Sequence, residues 1–177
     1  MSTERVMIYI DGNNLYHSLK DNFGRANLDF EKFCDRLAAG RRLIRTYYYN
    51  APKDQAKEPT KYADQQRFLE YVKGLQYVEL RLGRLVYHGW PHVPPYEKGI
   101  DVSLATNMLV HAFRDNYDTA ILVSGDTDFA DAILALKELG KHVEVVLFGG
   151  TRSSQHLRIV ADKVIQADSA LLDDCWK

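Results

Sequence analysis

The stretch Ser124-Gly125-Asp126-Thr127-Asp128-Phe129 places two carboxylates two residues apart, directly behind the apolar run Thr119-Ala120-Ile121-Leu122-Val123. Such a run, stopped by a glycine, reads as a buried strand, and residues 129–139 behind it read as a helix. The acids therefore lie where a strand ends and a helix begins. In open parallel sheets, ligands bind in the crevice outside the carboxyl ends of the strands. The first strand repeats the arrangement, with Val6-Met7-Ile8-Tyr9-Ile10 running into Asp11-Gly12-Asn13-Asn14. Asp101 follows Lys98-Gly99-Ile100 and opens another helix. Four acids at element ends, without a Cys or His cluster, point to a hard-cation site.

Each acid also has a structural explanation, because aspartate is a favoured N-cap and sits well at a helix's positive end. An N-cap needs only one acid, however, and Asp126 and Asp128 share a single turn. Glycine after Asp11 would let a ligand approach the backbone closely. Carboxylates converging in one crevice raise one another's pKa, a cost that a divalent cation removes. Mg²⁺ and Mn²⁺ prefer carboxylate and water oxygens and serve phosphodiester displacement.

The elements that must position these acids alternate along the chain. Behind the first strand, 14–22 reads as a short helix, and Asp29 caps a second helix through Phe30, Phe33, Cys34 and Leu37 that Gly40 stops. Leu43 to Tyr49 is β-rich, and Pro59 suits the first turn of a long helix carrying Tyr62, Gln66, Leu69 and Val72. Tyr77 to Leu82 alternates, and Gly83-Arg84 separates it from 85–88, giving a hairpin or one bent strand. Residues 89–99 hold Pro91, Pro94 and Pro95 and read as a loop without a strand. A helix over 101–116, a strand over 119–123, a helix over 129–139 and a strand over 142–147 follow. A helix over 153–161 and a short strand over 163–165 end the pattern. Strands alternating with helices predict a three-layer α/β/α sandwich with a mainly parallel sheet, one domain over 1–177.

With 177 residues, 46% apolar and 27% charged, the composition is that of an ordinary globular protein. No run approaches the roughly 20 apolar residues that span a membrane, and the first residues lack a signal peptide's apolar core. Two distant cysteines imply no disulfide framework and fit a reducing cytoplasm. The net charge of −1 gives no basic balance, so any polyanion contact must come from local patches. A homo-oligomer is left open.

Ile10-Asp11-Gly12-Asn13-Asn14, Glu97-Lys98-Gly99-Ile100-Asp101-Val102 and Ser124-Gly125-Asp126-Thr127-Asp128-Phe129, with Leu139-Gly140-Lys141-His142-Val143, resemble the NYN domain. That family belongs to the PIN-like nucleases, and the match is to its bacterial LabA-like branch, from Ile8 to about Asp168. The resemblance implies a PIN-like sandwich, an acidic Mg²⁺ or Mn²⁺ site and endoribonuclease activity on single-stranded RNA. It makes Asp11, Asp101, Asp126 and Asp128 the metal-binding and catalytic carboxylates, with Asn14 orienting Asp11 and Ser124 as a further polar support. The chain departs from the pattern at Asn107, where such proteins commonly carry Asp. Asparagine brings no charge, and a spacing of six from Asp101 is not a same-face helical spacing.

On the substrate side, Arg84, His88, Trp90, Tyr96 and Lys98 join cations to aromatics just before Asp101, as single-stranded nucleic acid requires. Trp90 and Tyr96 are equally explained by packing the Pro-rich loop onto the core. Asn13, Lys98, Arg84, Trp90, Arg152 and Ser153 are the candidate substrate contacts. Arg152 and Ser153 belong to Gly149-Gly150-Thr151-Arg152-Ser153-Ser154, which opens a helix whose amides can hold phosphate, although Ser153 or Ser154 as a simple cap explains the stretch too. Arg41, Arg42 and Arg45 read as a solvated face.

Two rivals remain. A haloacid-dehalogenase-like phosphatase also begins with Asp after its first strand, but its leaving-group acid would fall at Asn13, which cannot protonate. A catalytically weak RNA-binding or scaffolding module would keep the fold, and Asn107 and the near-zero net charge favour it. A Rossmann dehydrogenase is disfavoured, since no G-x-G-x-x-G follows a strand.

Overall fold

In a computed structural model, which describes residues 3–150 and 154–177, six strands form one sheet in the order β3-β2-β1-β6-β7-β8. These are β1 (Arg5–Asp11), β2 (Arg42–Asn50), β3 (Val78–Leu82), β6 (Thr119–Val123), β7 (His142–Leu147) and β8 (Lys163–Gln166), and every neighbouring pair is parallel. Helices α1 (Gly12–Phe23), α2 (Phe30–Ala38) and α3 (Pro59–Lys73) cover one face. Helices α4 (Ile100–Phe113), α5 (Ala130–Glu138) and α6 (Gln155–Val160) cover the other. The chain thus winds outward from β1 in one direction, returns to β6 and winds the other way. That reversal leaves a crevice between the carboxyl ends of β1 and β6.

Burial on both sides explains the strand composition. On β1, Val6, Ile8 and Ile10 pack under the first three helices, while Met7 and Tyr9 pack under the last three. The tyrosine run on β2 divides the same way, Tyr48 to one face and Tyr47 and Tyr49 to the other. A strand that is buried twice reads as a continuous apolar run, which is how β1 and β6 were visible.

The chain between β3 and α4 differs from expectation. Residues 78–82 and 84–86 are neither a hairpin nor one bent strand, because β3 joins β2 while β4 (Arg84–Val86) leaves the sheet. The stretch expected to be a loop contains β5 (Tyr96–Lys98), which pairs antiparallel with β4 in a separate ribbon. Prolines at 91, 94 and 95 do not prevent this, since the strand starts only after the last of them.

Arg41 is also not on a solvated face. Its guanidinium makes a bidentate pair with Glu144 of β7 at 2.8 and 2.9 Å, and both side chains are nearly buried. Arg45 pairs with Glu79 at 3.2 Å across β2 and β3 with both side chains partly exposed, so Arg42 and Arg45 fit the expectation and Arg41 does not. Among the described residues, no helix is long and apolar enough to cross a membrane.

Candidate metal centre

The pairing of β1 with β6 sets Ile10 beside Val123, so Asp11 and Ser124 leave the sheet together. Asp11 is the N-cap of α1: with φ −75° and ψ 100°, its side chain accepts the Asn14 amide at 3.2 Å. Its other oxygen accepts the Ser124 hydroxyl at 3.3 Å, and it is only 6% exposed. The Ser124 oxygen in turn accepts the Asp126 amide at 3.2 Å, which couples the two acid-bearing turns through one hydroxyl. Asp126 caps the 3-10 turn Thr127–Phe129 by accepting the Asp128 amide at 2.9 Å. Capping and site-building are therefore not alternatives here, because one side chain does both.

Asp101 arrives from another direction, in the first turn of α4, whose N-cap is Gly99. One carboxylate oxygen from each of Asp101, Asp126 and Asp128 lies within 4.8 Å of the other two. Asp11 stands outside that trio but lines the same cleft as Asp101 and Asp126. The crowding is visible electrostatically. Burial, then the charges of Asp11, Asp126 and Asp128, push the Asp101 carboxyl up to about 6. Burial, with a contribution from Asp126, also raises Asp11 against the hydrogen bonds from Asn14 and Ser124.

A fifth acid joins them. Glu97 on β5 lines the cleft, and burial followed by Asp11 and Asp101 pushes it up to about 7, with Lys53 opposing. Glu97 opens the motif that contains Asp101, but a stretch read as a loop says nothing about which way a side chain faces. Only the strand pairing of Leu85 with Glu97 orients it.

Several supporting residues act differently from expectation. The Asn14 side chain does not orient Asp11; its Oδ1 accepts the Gly125 amide at 3.0 Å and so clamps the turn carrying Asp126. Gly12 lines the cleft, and packing alone already demands it. A Cβ at that position would come within 2.6 Å of the Tyr49 carbonyl oxygen and against the Tyr48 ring, so close β2 packing demands the glycine. Ser154 occupies the N-cap position of α6, yet its hydroxyl donates to the Gly125 carbonyl at 2.7 Å and caps nothing. Arg152 and Ser153 lie outside the described residues. Asn107 donates its amide to the Tyr49 hydroxyl at 2.8 Å.

The cleft has a volume of about 1140 Å³, and Asn13, Trp90 and Tyr96 line it together with Lys53 and Lys61. Trp90 packs edge-on against Tyr87 at 5.4 Å, so it both holds its loop and faces the cleft. Tyr96 is 54% exposed and is not a packing residue. Arg84 and Lys98 do not line this cleft; they line a separate depression of about 430 Å³.

Residues 5–171 match the family model of the NYN domain. The chain belongs to the NYN domain family. The low amplitude and bright protein LabA of Synechococcus elongatus is 27% identical to this NYN protein over 165 residues, spanning 91% of this chain and 82% of that one. The crystal structure of a protein of unknown function from Vibrio parahaemolyticus is 23% identical, covers 94% of both chains and superposes with a TM-score of 0.70. At that identity the second likeness shows the fold alone, a three-layer α/β/α sandwich with a parallel sheet. The motif resemblance at Asp11, Asp101 and Asp126 thus led to the right family.

Proposed function

We propose that this NYN protein hydrolyses single-stranded RNA, using Mg²⁺ or Mn²⁺ held by Asp101, Asp126 and Asp128. The observation that carries the reading is the convergence of those three carboxylates from two separate elements, beside the buried Asp11. The donor set suits such an ion: it offers only carboxylate oxygens, and burial together with the neighbouring acids raises the Asp101 pKa, a cost to its charged form that a cation offsets. When bound, the ion would lower the pKa of water and stabilise the negative charge that builds on the phosphoryl oxygens.

The chain's own residues do the rest. Ser124 and the Asn14 amide hold Asp11 in one orientation, and Asn14 and Ser154 clamp Gly125 from both sides, fixing the turn that carries Asp126 and Asp128. Trp90 and Tyr96 present aromatic surfaces in the same cleft, and bases stack on such surfaces without regard to sequence. Lys53 and Lys61 offset the acids' repulsion of a polyanion, and the Asn13 amide is a neutral donor for a phosphate oxygen. Attack in line with the departing 3′ oxygen leaves a 5′-phosphate and a 3′-hydroxyl. The ribose 2′-hydroxyl takes no part, so some single-stranded DNA is cut as well.

The test is cleavage of end-labelled single-stranded RNA in Mg²⁺ or Mn²⁺, with Asp101→Asn, Asp128→Asn and EDTA as the controls that abolish it. Cleavage that survives EDTA and ends in a 2′,3′-cyclic phosphate would refute the mechanism. Binding of RNA without cleavage in either metal would establish the second reading, a binding module. The neutral Asn107, committed to Tyr49, favours that reading.

A further inference from the structure

Arg84 and Lys98 face each other directly in the β4–β5 ladder. Side chains so paired stand about 5 Å apart, and like charges in that arrangement destabilise a strand pair. Such a pair is ordinarily relieved by a neighbouring acid. Among the described residues, no ion pair involves Arg84, Lys98 or the nearby Arg81. All three cations are exposed, and all three line the depression of about 430 Å³ together with Ser103 and the buried Tyr49. The Tyr49 hydroxyl accepts its hydrogen bond from Asn107, which leaves its own proton to be donated. Arg81 also lies over the Tyr47 ring at 5.5 Å, but none of the three cations has an acid partner among the described residues, and with two hydroxyls they surround one hollow.

The depression lies just across the β4–β5 ribbon from the acid cleft. Leu85 and Glu97, paired with each other, line the cleft, while the adjoining pair Arg84 and Lys98 lines the depression. We infer that the depression binds a backbone phosphate of the same RNA strand whose scissile bond lies in the acid cleft, so that the strand crosses the ribbon. The inference rests on the proposed nuclease reading for the identity of the strand. The charge pattern on the ribbon stands apart from that reading. A phosphate there relieves the Arg84–Lys98 repulsion and holds the strand by its backbone, without reading its sequence.

The experiment uses the full chain, oligouridylates of two to eight nucleotides, inorganic phosphate, and the triple variant Arg81→Ala/Arg84→Ala/Lys98→Ala. Because the three side chains are exposed, the variant should melt within a few degrees of wild type. Arg84→Lys/Lys98→Arg serves as a charge-conserving control. Wild type should gain affinity stepwise once the oligomer is long enough to cross the ribbon, and the triple variant should lose about tenfold at that step. Its slope of log affinity against log salt should fall by about 0.7, the value for one phosphate of a single strand. The charge-conserving variant should keep the step.

Equal affinity of wild type and triple variant for every length would overturn the inference. So would loss of inorganic phosphate binding with oligomer binding intact, which would make the hollow a site for a free anion. Failure of wild type to bind any RNA would overturn it together with the nuclease reading. Loss of the step in a wild type that still cuts RNA separates the two.

Discussion

Asp101 is held near 6 by burial and three neighbouring acids, and this sets how the metal-free protein responds to pH. An acid whose folded pKa lies above its unfolded value binds its proton more tightly in the native state. Stability then falls as pH rises between the two values, here from about 4 to about 6, and is flat above. Glu97, pushed up to about 7, adds a loss in the same direction from about 4.5 to about 7. Asp101→Asn removes the first contribution and relieves the second. In EDTA, chemical denaturation of this variant should therefore lose less stability between pH 4 and 6 than wild type does. The two curves should cross or converge toward low pH. A variant that is less stable than wild type at pH 7 without metal would show Asp101 to be a structural partner and not a crowded ligand.

Elements differ in how plainly they announce themselves, and the reason is how much of each is decided locally. The strands β1 and β6 are buried on both faces, and their apolar runs end at glycine-bearing turns, so they and the acids behind them are legible without tertiary information. The ribbon β4–β5 is three residues on each side, and its existence depends on a partner beyond a proline-rich loop. The sequence therefore gives Glu97 no role of its own, and it groups Arg84 and Lys98 with Trp90 although they line another hollow. Arg41 looks solvated from sequence for the same reason, since its partner Glu144 lies 103 residues away. That pair permits a test. Glu144→Gln leaves a nearly buried guanidinium with only Glu4 at 3.3 Å for compensation. Removing one partner of a buried pair costs about 3–5 kcal/mol, and with Glu4 remaining the lower end is expected. In a chain of this size that is a fall in Tm of roughly 6–12 °C. A change below about 2 °C would mean that the pair contributes little beyond a neutral hydrogen bond.

For the molecule as a whole, the sheet order brings together segments that the sequence keeps far apart. Asp11 ends the first strand, Asp101 starts α4, and Asp126 and Asp128 share the turn after β6. A cation held by Asp101, Asp126 and Asp128 would join the start of α4 to the turn after β6, so its binding energy becomes stability of the fold. At a metal concentration about a hundredfold above Kd, that linkage is worth about 2.7 kcal/mol. For a protein of this size the corresponding rise in Tm is about 5–11 °C. Differential scanning fluorimetry at pH 7 should show the rise in Mn²⁺ or Mg²⁺, and potassium at matched ionic strength should not reproduce it. Asp126→Asn keeps an acceptor for the Asp128 amide, so the turn survives, and the neutral side chain relieves Asp101 of one repelling charge. Its metal-free Tm should equal or exceed that of wild type, while most of the metal-dependent rise disappears. Equal rises in wild type and variant would place any bound cation elsewhere and leave the three converging aspartates without a metal role.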